Sequence, residues 1–149
     1  MDYEIVTLEE KIIAGVSDRT GNDCPDMRSK IGAIWQKFYG ETFCSINNRL
    51  NSKAFGLYCD YAVDGSYTVL AGCQVSSSQE IASGLAVKVI PAGKYAKFTV
   101  KGEIAVAVGE TWCQIWNTPL ERLYTADFEE YQEDCDGKSG TIFIYVAIK

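Results

Sequence analysis

Histidine is absent from this chain of 149 residues, so any chemistry must rest on carboxylates, tyrosines, lysines or cysteines. Ser-His-Asp and Cys-His catalysis are excluded, along with nearly all familiar metal sites. The six cysteines, Cys24, Cys44, Cys59, Cys73, Cys113 and Cys135, are scattered without a C-x-x-C pair. That spacing reads as reduced core or loop thiols rather than a zinc site or disulfide frame. No glycine-rich phosphate loop of either common type is present. Neither a metal nor a cofactor is therefore expected.

The strongest remaining constellation is Asp127-Phe128-Glu129-Glu130-Tyr131. On a strand, alternation puts Glu129, Tyr131 and Glu133 on one face and Phe128, Glu130 and Gln132 on the other. A carboxylate beside aromatic walls in a partly dry cleft combines charge with cation–π attraction, which suits an organic cation. By pattern alone, Glu129 reads more readily as a solvated strand residue than as a pocket group. Trp35, Trp112 and Trp116 each fall on a helical stripe, for which core packing is the ordinary explanation. Tyr58 and Tyr131 could face each other across a seam or form a cross-strand pair. Tyr95, Phe98, Tyr39 and Phe55 are secondary wall candidates, with more of them expected in the core than at a pocket.

These side chains need elements to position them. Residues 3–8 and 11–17 read as two short strands forming a hairpin. Met27, Ile31, Ile34, Trp35 and Phe38 recur at helical spacing, and Gly40 is expected to stop that helix. Residues 54–63 and 67–75 read as strands joined at Asp64-Gly65, a strong hairpin signal. Ser76 to Glu80 resembles a linker. Residues 85–90 and 94–100 form a second expected hairpin around Pro91-Ala92-Gly93. Ile104, Val108, Trp112, Ile115 and Trp116 share one face of a second helix, limited by Pro119. Residues 128–133 and 141–148 read as closing strands. Lys97 and Lys101, two strand steps apart in register, are expected to protect a sheet edge.

The order hairpin, helix, paired strands thus occurs twice. Trp116 follows Trp35 by 81 residues, as Gly102 follows Gly21, while Tyr131 follows Tyr58 by 73, as Phe128 follows Phe55. A constant offset on each side of one shortened loop is what duplication predicts. Trp35 pairs with Trp116 and Tyr58 with Tyr131, so Trp35 and Trp116 are assigned mainly to the core, with at most an edge at the cleft. Gly56 against Glu129 and Ile31 against Trp112 break the match. Those breaks are where function is expected, at a seam between copies.

Length and composition fit one folded domain: 47% of residues are hydrophobic and 12% aromatic. Fourteen basic against twenty acidic residues leave a net charge of −6, which disfavours nucleic acid. No long apolar run suggests a leader or a membrane span, so a cytoplasmic location is expected.

Ile90-Pro91-Ala92-Gly93-Lys94-Tyr95-Ala96-Lys97-Phe98, then Trp112 to Trp116, then Asp127 to Tyr131, then Ile144 to Lys149 resemble the GyrI-like family. These are the effector-binding domains of AraC-type and related multidrug-responsive regulators. The resemblance covers essentially the whole chain as one domain, residues 1–149, with repeats at about 1–76 and 82–149. It implies an α+β fold of two β-α-β-β units with pseudo-twofold symmetry, curved antiparallel sheets, two main helices and a central cleft. It also implies a pocket glutamate, which falls on Glu129, and lipophilic aromatic ligands, often cationic. The expected ligand-binding set is Glu129, Tyr131, Trp112, Tyr58, Trp116, Trp35, Tyr95 and Phe98. A stand-alone member is expected, with no helix-turn-helix and no direct contact to nucleic acid or membrane. Sensing or sequestration of an amphipathic aromatic cation is the leading expectation. Two alternatives stand beside it: a small hydrolase using Glu129 as general acid or base, and an inhibitor of a DNA enzyme such as gyrase.

Overall fold

The duplicated pattern folds into a single antiparallel sheet with two helices. The computed structural model describes residues 2–79, 81 and 83–149. Glu80, at the end of the expected linker, and the repeat bounds at residues 1 and 82 lie outside the described residues. In chain order the elements are β1 (Glu4–Leu8), β2 (Lys11–Gly21), α1 (Met27–Lys37), β3 (Ala54–Cys59), β4 (Ser66–Val75), β5 (Ala86–Ile90), β6 (Gly93–Glu103), α2 (Ile104–Trp116), β7 (Arg122–Tyr131) and β8 (Ser139–Ile148). The sheet runs β1-β6-β8-β7-β3-β4-β2-β5. No described helix is long and apolar enough to cross a membrane.

The expected hairpins at residues 3–17 and 85–100 do not form. Instead the copies exchange their first strands. β1 pairs with β6, placing Leu8 opposite Gly93, and β5 pairs with β2, placing Ile90 opposite Lys11. Only Glu9 and Glu10 separate β1 from β2, and both are exposed. Sequence spacing cannot distinguish so short a connection from a hairpin turn. The exchange makes β6 an interior strand and leaves β1 and β5 as the edges. Lys97 therefore does not guard an edge; its Nζ lies 3.9 Å from the centroid of the Phe143 ring.

The strand ladders also correct the repeat by one residue. Gly21 sits opposite Ser66, and Glu103 sits opposite Ser139. Ser139 follows Ser66 by 73 residues, so the strand counterpart of Gly21 is Glu103, not Gly102.

One sheet face is covered by the helices. Ile34 and Phe38 pack over Ala54, Val69, Ala71 and Cys73. Ile115 packs over Phe98, Val100, Ile142 and Ile144. On the other face lies a cluster to which all eight strands contribute, including Leu8, Ile13, Leu57, Leu70, Ile90, Tyr95, Phe128 and Tyr145. No helix belongs to that cluster, so the curl of the sheet itself must exclude water there. Each such aliphatic or aromatic burial is worth about 1.5–3 kcal/mol. The expected helix stop at Gly40 is also displaced. The chain continues through a π-type turn, Phe38–Thr42, and a 3-10 turn, Phe43–Ser45. Buried Phe38 and the Arg49 guanidinium hold this extension. Arg49 donates to the Phe43 and Ile46 carbonyls at 2.5 and 2.7 Å.

Candidate functional site

The two copies meet where β3 runs against β7. Gly56 lies opposite Glu129, flanked by Leu57 opposite Phe128 and Phe55 opposite Glu130. Under the 73-residue repeat those flanking pairs exchange with each other and the Gly56–Glu129 pair maps onto itself. The pseudo-twofold axis therefore passes through Gly56 and Glu129. Alternation along β7 turns Glu129 toward the helix-covered side, opposite Phe128.

There α1, α2 and the loops after β3 enclose a cavity of about 960 Å³, at the large end of the range for small-molecule pockets. Glu129 is only 2% exposed. Its Oε2 accepts hydrogen bonds from Trp112 Nε1 at 2.7 Å and the Tyr58 hydroxyl at 3.0 Å. Its Oε1 accepts from the Tyr131 hydroxyl at 2.8 Å. Burial raises the Glu129 carboxyl above the ordinary glutamate value, and the three donors partly oppose that rise. The Tyr58 and Tyr131 hydroxyls are held well above their usual range, first by burial and then by the adjoining carboxylate. Among the described residues Glu129 forms no ion pair. Three neutral donors thus hold an acceptor-only group without neutralising it.

The aromatic walls cross the seam. Trp35 of α1 meets Tyr131 of β7 edge-on, with centroids 5.2 Å apart. Trp112 of α2 meets Tyr58 of β3 edge-on at 5.5 Å. Each helix thereby braces a tyrosine from the other copy. Ile31, Met27 and Val108 complete the apolar lining between the helices.

Six expected residues line this cavity: Glu129, Tyr131, Trp112, Tyr58, Trp116 and Trp35. Trp116, assigned mainly to the core, is 53% exposed at the rim; it ends α2, beyond the last buried helical residue, Ile115. Tyr95 and Phe98 do not belong to the cavity. Tyr95 is buried on the helix-free face, with its hydroxyl bonded to the Pro91 carbonyl at 2.6 Å. Phe98 is fully buried beneath α2. Glu133 lies past the end of β7, in a turn, and so shares no strand face with Glu129.

A polar cluster escaped the sequence reading. Asp127, fully buried, accepts from the Tyr61 hydroxyl at 2.5 Å, from Arg122 Nη2 at 2.7 Å and from the Ala147 N–H at 2.9 Å. Tyr61, Arg122 and Tyr124 line the cavity. The ladder between β7 and β8 shifts between Arg122 and Asp127, and Tyr124 within the bulge has φ 57°, a left-handed backbone uncommon for a residue with a side chain. The available signal was the two-residue spacing from Asp127 to Glu129. No group of three or more His, Cys, Asp or Glu side chains that could hold a metal ion occurs among the described residues.

The chain matches the Cass2 family model, described as integron-associated effector binding protein, over residues 4–148. An integron cassette protein from the mobile metagenome of Vibrio cholerae is 30% identical, with 99% of this chain and 95% of that one aligned and a TM-score of 0.80. SAV2435, solved bound to tetraphenylphosphonium, is 18% identical, with 100% and 94% aligned and a TM-score of 0.82. EcmrR, solved in complex with DNA, is 18% identical, with 99% of this chain and 57% of that one aligned and a TM-score of 0.64. No curated protein is significantly similar in sequence.

Proposed function

The chain belongs to the family of integron-associated effector-binding proteins, and from that premise we propose that its cavity binds amphipathic aromatic cations, with Glu129 as counter-charge. The observation that carries this reading is a buried carboxylate, held by three neutral donors and free of any ion pair among the described residues, on the floor of an aromatic cavity. Burying an unpaired carboxylate is costly. An organic cation removes that cost by supplying the missing charge while its apolar body leaves water for the walls. The tryptophan and tyrosine faces add cation–π attraction. A neutral ligand would leave the carboxylate uncompensated, and an anion would be repelled. The tetraphenylphosphonium bound to SAV2435, a protein of the same fold, supports the reading. A protein that holds such compounds acts as a sensor or by sequestering them. Titration with tetraphenylphosphonium, followed by quenching of tryptophan fluorescence, tests it. Saturable one-site quenching that Glu129→Gln weakens is expected; quenching indifferent to that change would refute the reading.

A further inference from the structure

Donors from both copies converge on Glu129. Tyr58 and Tyr131 are repeat-equivalent, and their hydroxyls reach the same carboxylate, at Oε2 and Oε1 respectively. Trp112, which stands where the first copy has Ile31, adds a third donor at Oε2. The residue that breaks the repeat thus fills a further acceptor site on the carboxylate.

An ionised carboxylate offers about four lone-pair sites. Oε2 spends both of its sites on Tyr58 and Trp112, and Oε1 spends one on Tyr131. Gly56 of the facing strand also closely approaches Oε1. Among the described residues, Glu129 is the one carboxylate lining the cavity. The cavity therefore feels its negative charge, while its lone pairs are largely spent on the protein.

Organic cations divide on this point. A primary ammonium carries three N–H donors, which water satisfies outside and which need acceptors inside. At Glu129 it finds at most one. Buried donors left without partners are costly. A quaternary ammonium, a phosphonium or an N-alkylated heteroaromatic ion has no N–H to satisfy. It needs only the field of the carboxylate and the ring faces of Trp35, Tyr58, Trp112 and Tyr131, all of which line the cavity.

We infer that Tyr58, Trp112 and Tyr131 determine specificity by occupying the acceptor sites of Glu129, so that the cavity selects organic cations without an N–H donor over protonated amines. This rests on the reading of Glu129 as cation site.

The test compares (anthracen-9-ylmethyl)trimethylammonium with (anthracen-9-ylmethyl)ammonium, two probes of one ring system and one charge, by fluorescence titration at neutral pH. Wild-type protein is expected to bind the trimethylammonium probe about 100-fold more tightly, the scale of two unmade hydrogen bonds to a charged donor. Tyr58→Phe and Tyr131→Phe each keep a ring in place and release one acceptor site on Glu129. The affinity ratio should fall about tenfold in one or both variants, as the ammonium gains a partner. Any change in the ionisation of Glu129 acts on both probes and cancels in that ratio. Equal affinities in the wild type, or a ratio unchanged in both variants, would overturn the specificity role alone. Failure of the wild type to bind the trimethylammonium probe would instead overturn the cation site, and this inference with it. A crystal structure of the wild type soaked with the primary ammonium decides independently of how the variants fold. An ammonium nitrogen within about 3.2 Å of either Glu129 oxygen, with all three protein donors in place, refutes the inference, and one held farther away supports it.

Discussion

A Cβ added to Gly56 would stand 2.7 Å from Oε1 of Glu129 and 3.2 Å from Cζ2 of Trp35. The two residues occupy equivalent positions of the two copies and face each other on the pseudo-twofold axis. There is room on that axis for one side chain, and the second copy supplies it. The absence of a side chain at Gly56 is therefore part of the site.

Gly56→Ala is expected to displace the Glu129 carboxylate and to press on Trp35. Overpacking of this kind costs about 1–3 kcal/mol, so the thermal midpoint should fall. Affinity for tetraphenylphosphonium should fall about tenfold, since loss of a single favourable contact is worth that much. Calorimetric titration and thermal unfolding of the same sample measure both effects.

The pH dependence has a defined sign. Burial lifts the folded-state pKa of Glu129 above the ordinary 4.5, so the folded chain holds this proton more tightly than the unfolded chain. The resulting stability is fully present below 4.5 and is lost as pH rises through the raised folded value. Ligand-free wild type should accordingly lose stability relative to Glu129→Gln as pH rises through that window. Cation affinity should rise over the same window, because the ionised form is the one that binds. Thermal melts across pH, with and without tetraphenylphosphonium, should show opposing slopes that Glu129→Gln removes.

Trp112→Phe deletes the N–H that donates to Oε2 at 2.7 Å, one of the groups holding the Glu129 pKa down. The pH midpoint for cation binding should move upward, with affinity at neutral pH several-fold weaker. Trp116→Phe, at an exposed rim position, should weaken binding without moving that midpoint. Fluorescence titrations at a series of pH values separate the two variants.

Much of this was legible in residue patterns, and the failures have physical causes. The 73-residue spacing from Tyr58 to Tyr131 and the Gly56–Glu129 mismatch mark the seam between the copies, and the β3–β7 register puts the pseudo-twofold axis at that mismatch. Period-two alternation correctly separated Glu129 from Phe128. On β6, Tyr95 and Phe98 fall on opposite faces: Tyr95 joins the helix-free cluster and Phe98 is sealed beneath α2, so neither reaches the cavity. The exchange of β1 and β5 is set by long-range pairing, and two residues between strands look the same in either topology. The β7 bulge follows no period, which hid Arg122, and Tyr61 lies past the end of β3, where alternation no longer applies.

Asp127 offers a test of the supporting network. Asp127→Ala leaves Arg122, the Tyr61 hydroxyl and the Ala147 N–H without their shared acceptor. Breaking a buried pair from one side costs about 3–5 kcal/mol. The exposed Lys30–Asp26 pair at 3.6 Å makes the control, since Asp26→Ala should cost about 0–1 kcal/mol. Urea unfolding of both variants should show a large shift in midpoint for the first and almost none for the second.

The central claim, that a buried negative charge at Glu129 selects the ligand, is tested most directly with two ions of one shape. Tetraphenylphosphonium and tetraphenylborate differ in sign and little else. Calorimetry on wild type and Glu129→Gln at neutral pH should show the phosphonium bound about 100-fold or more tightly than the borate by wild type, on the scale of a compensated buried charge. Most of that difference should disappear in Glu129→Gln. Comparable affinity of the wild type for both ions, or a preference unchanged in the variant, would contradict the account.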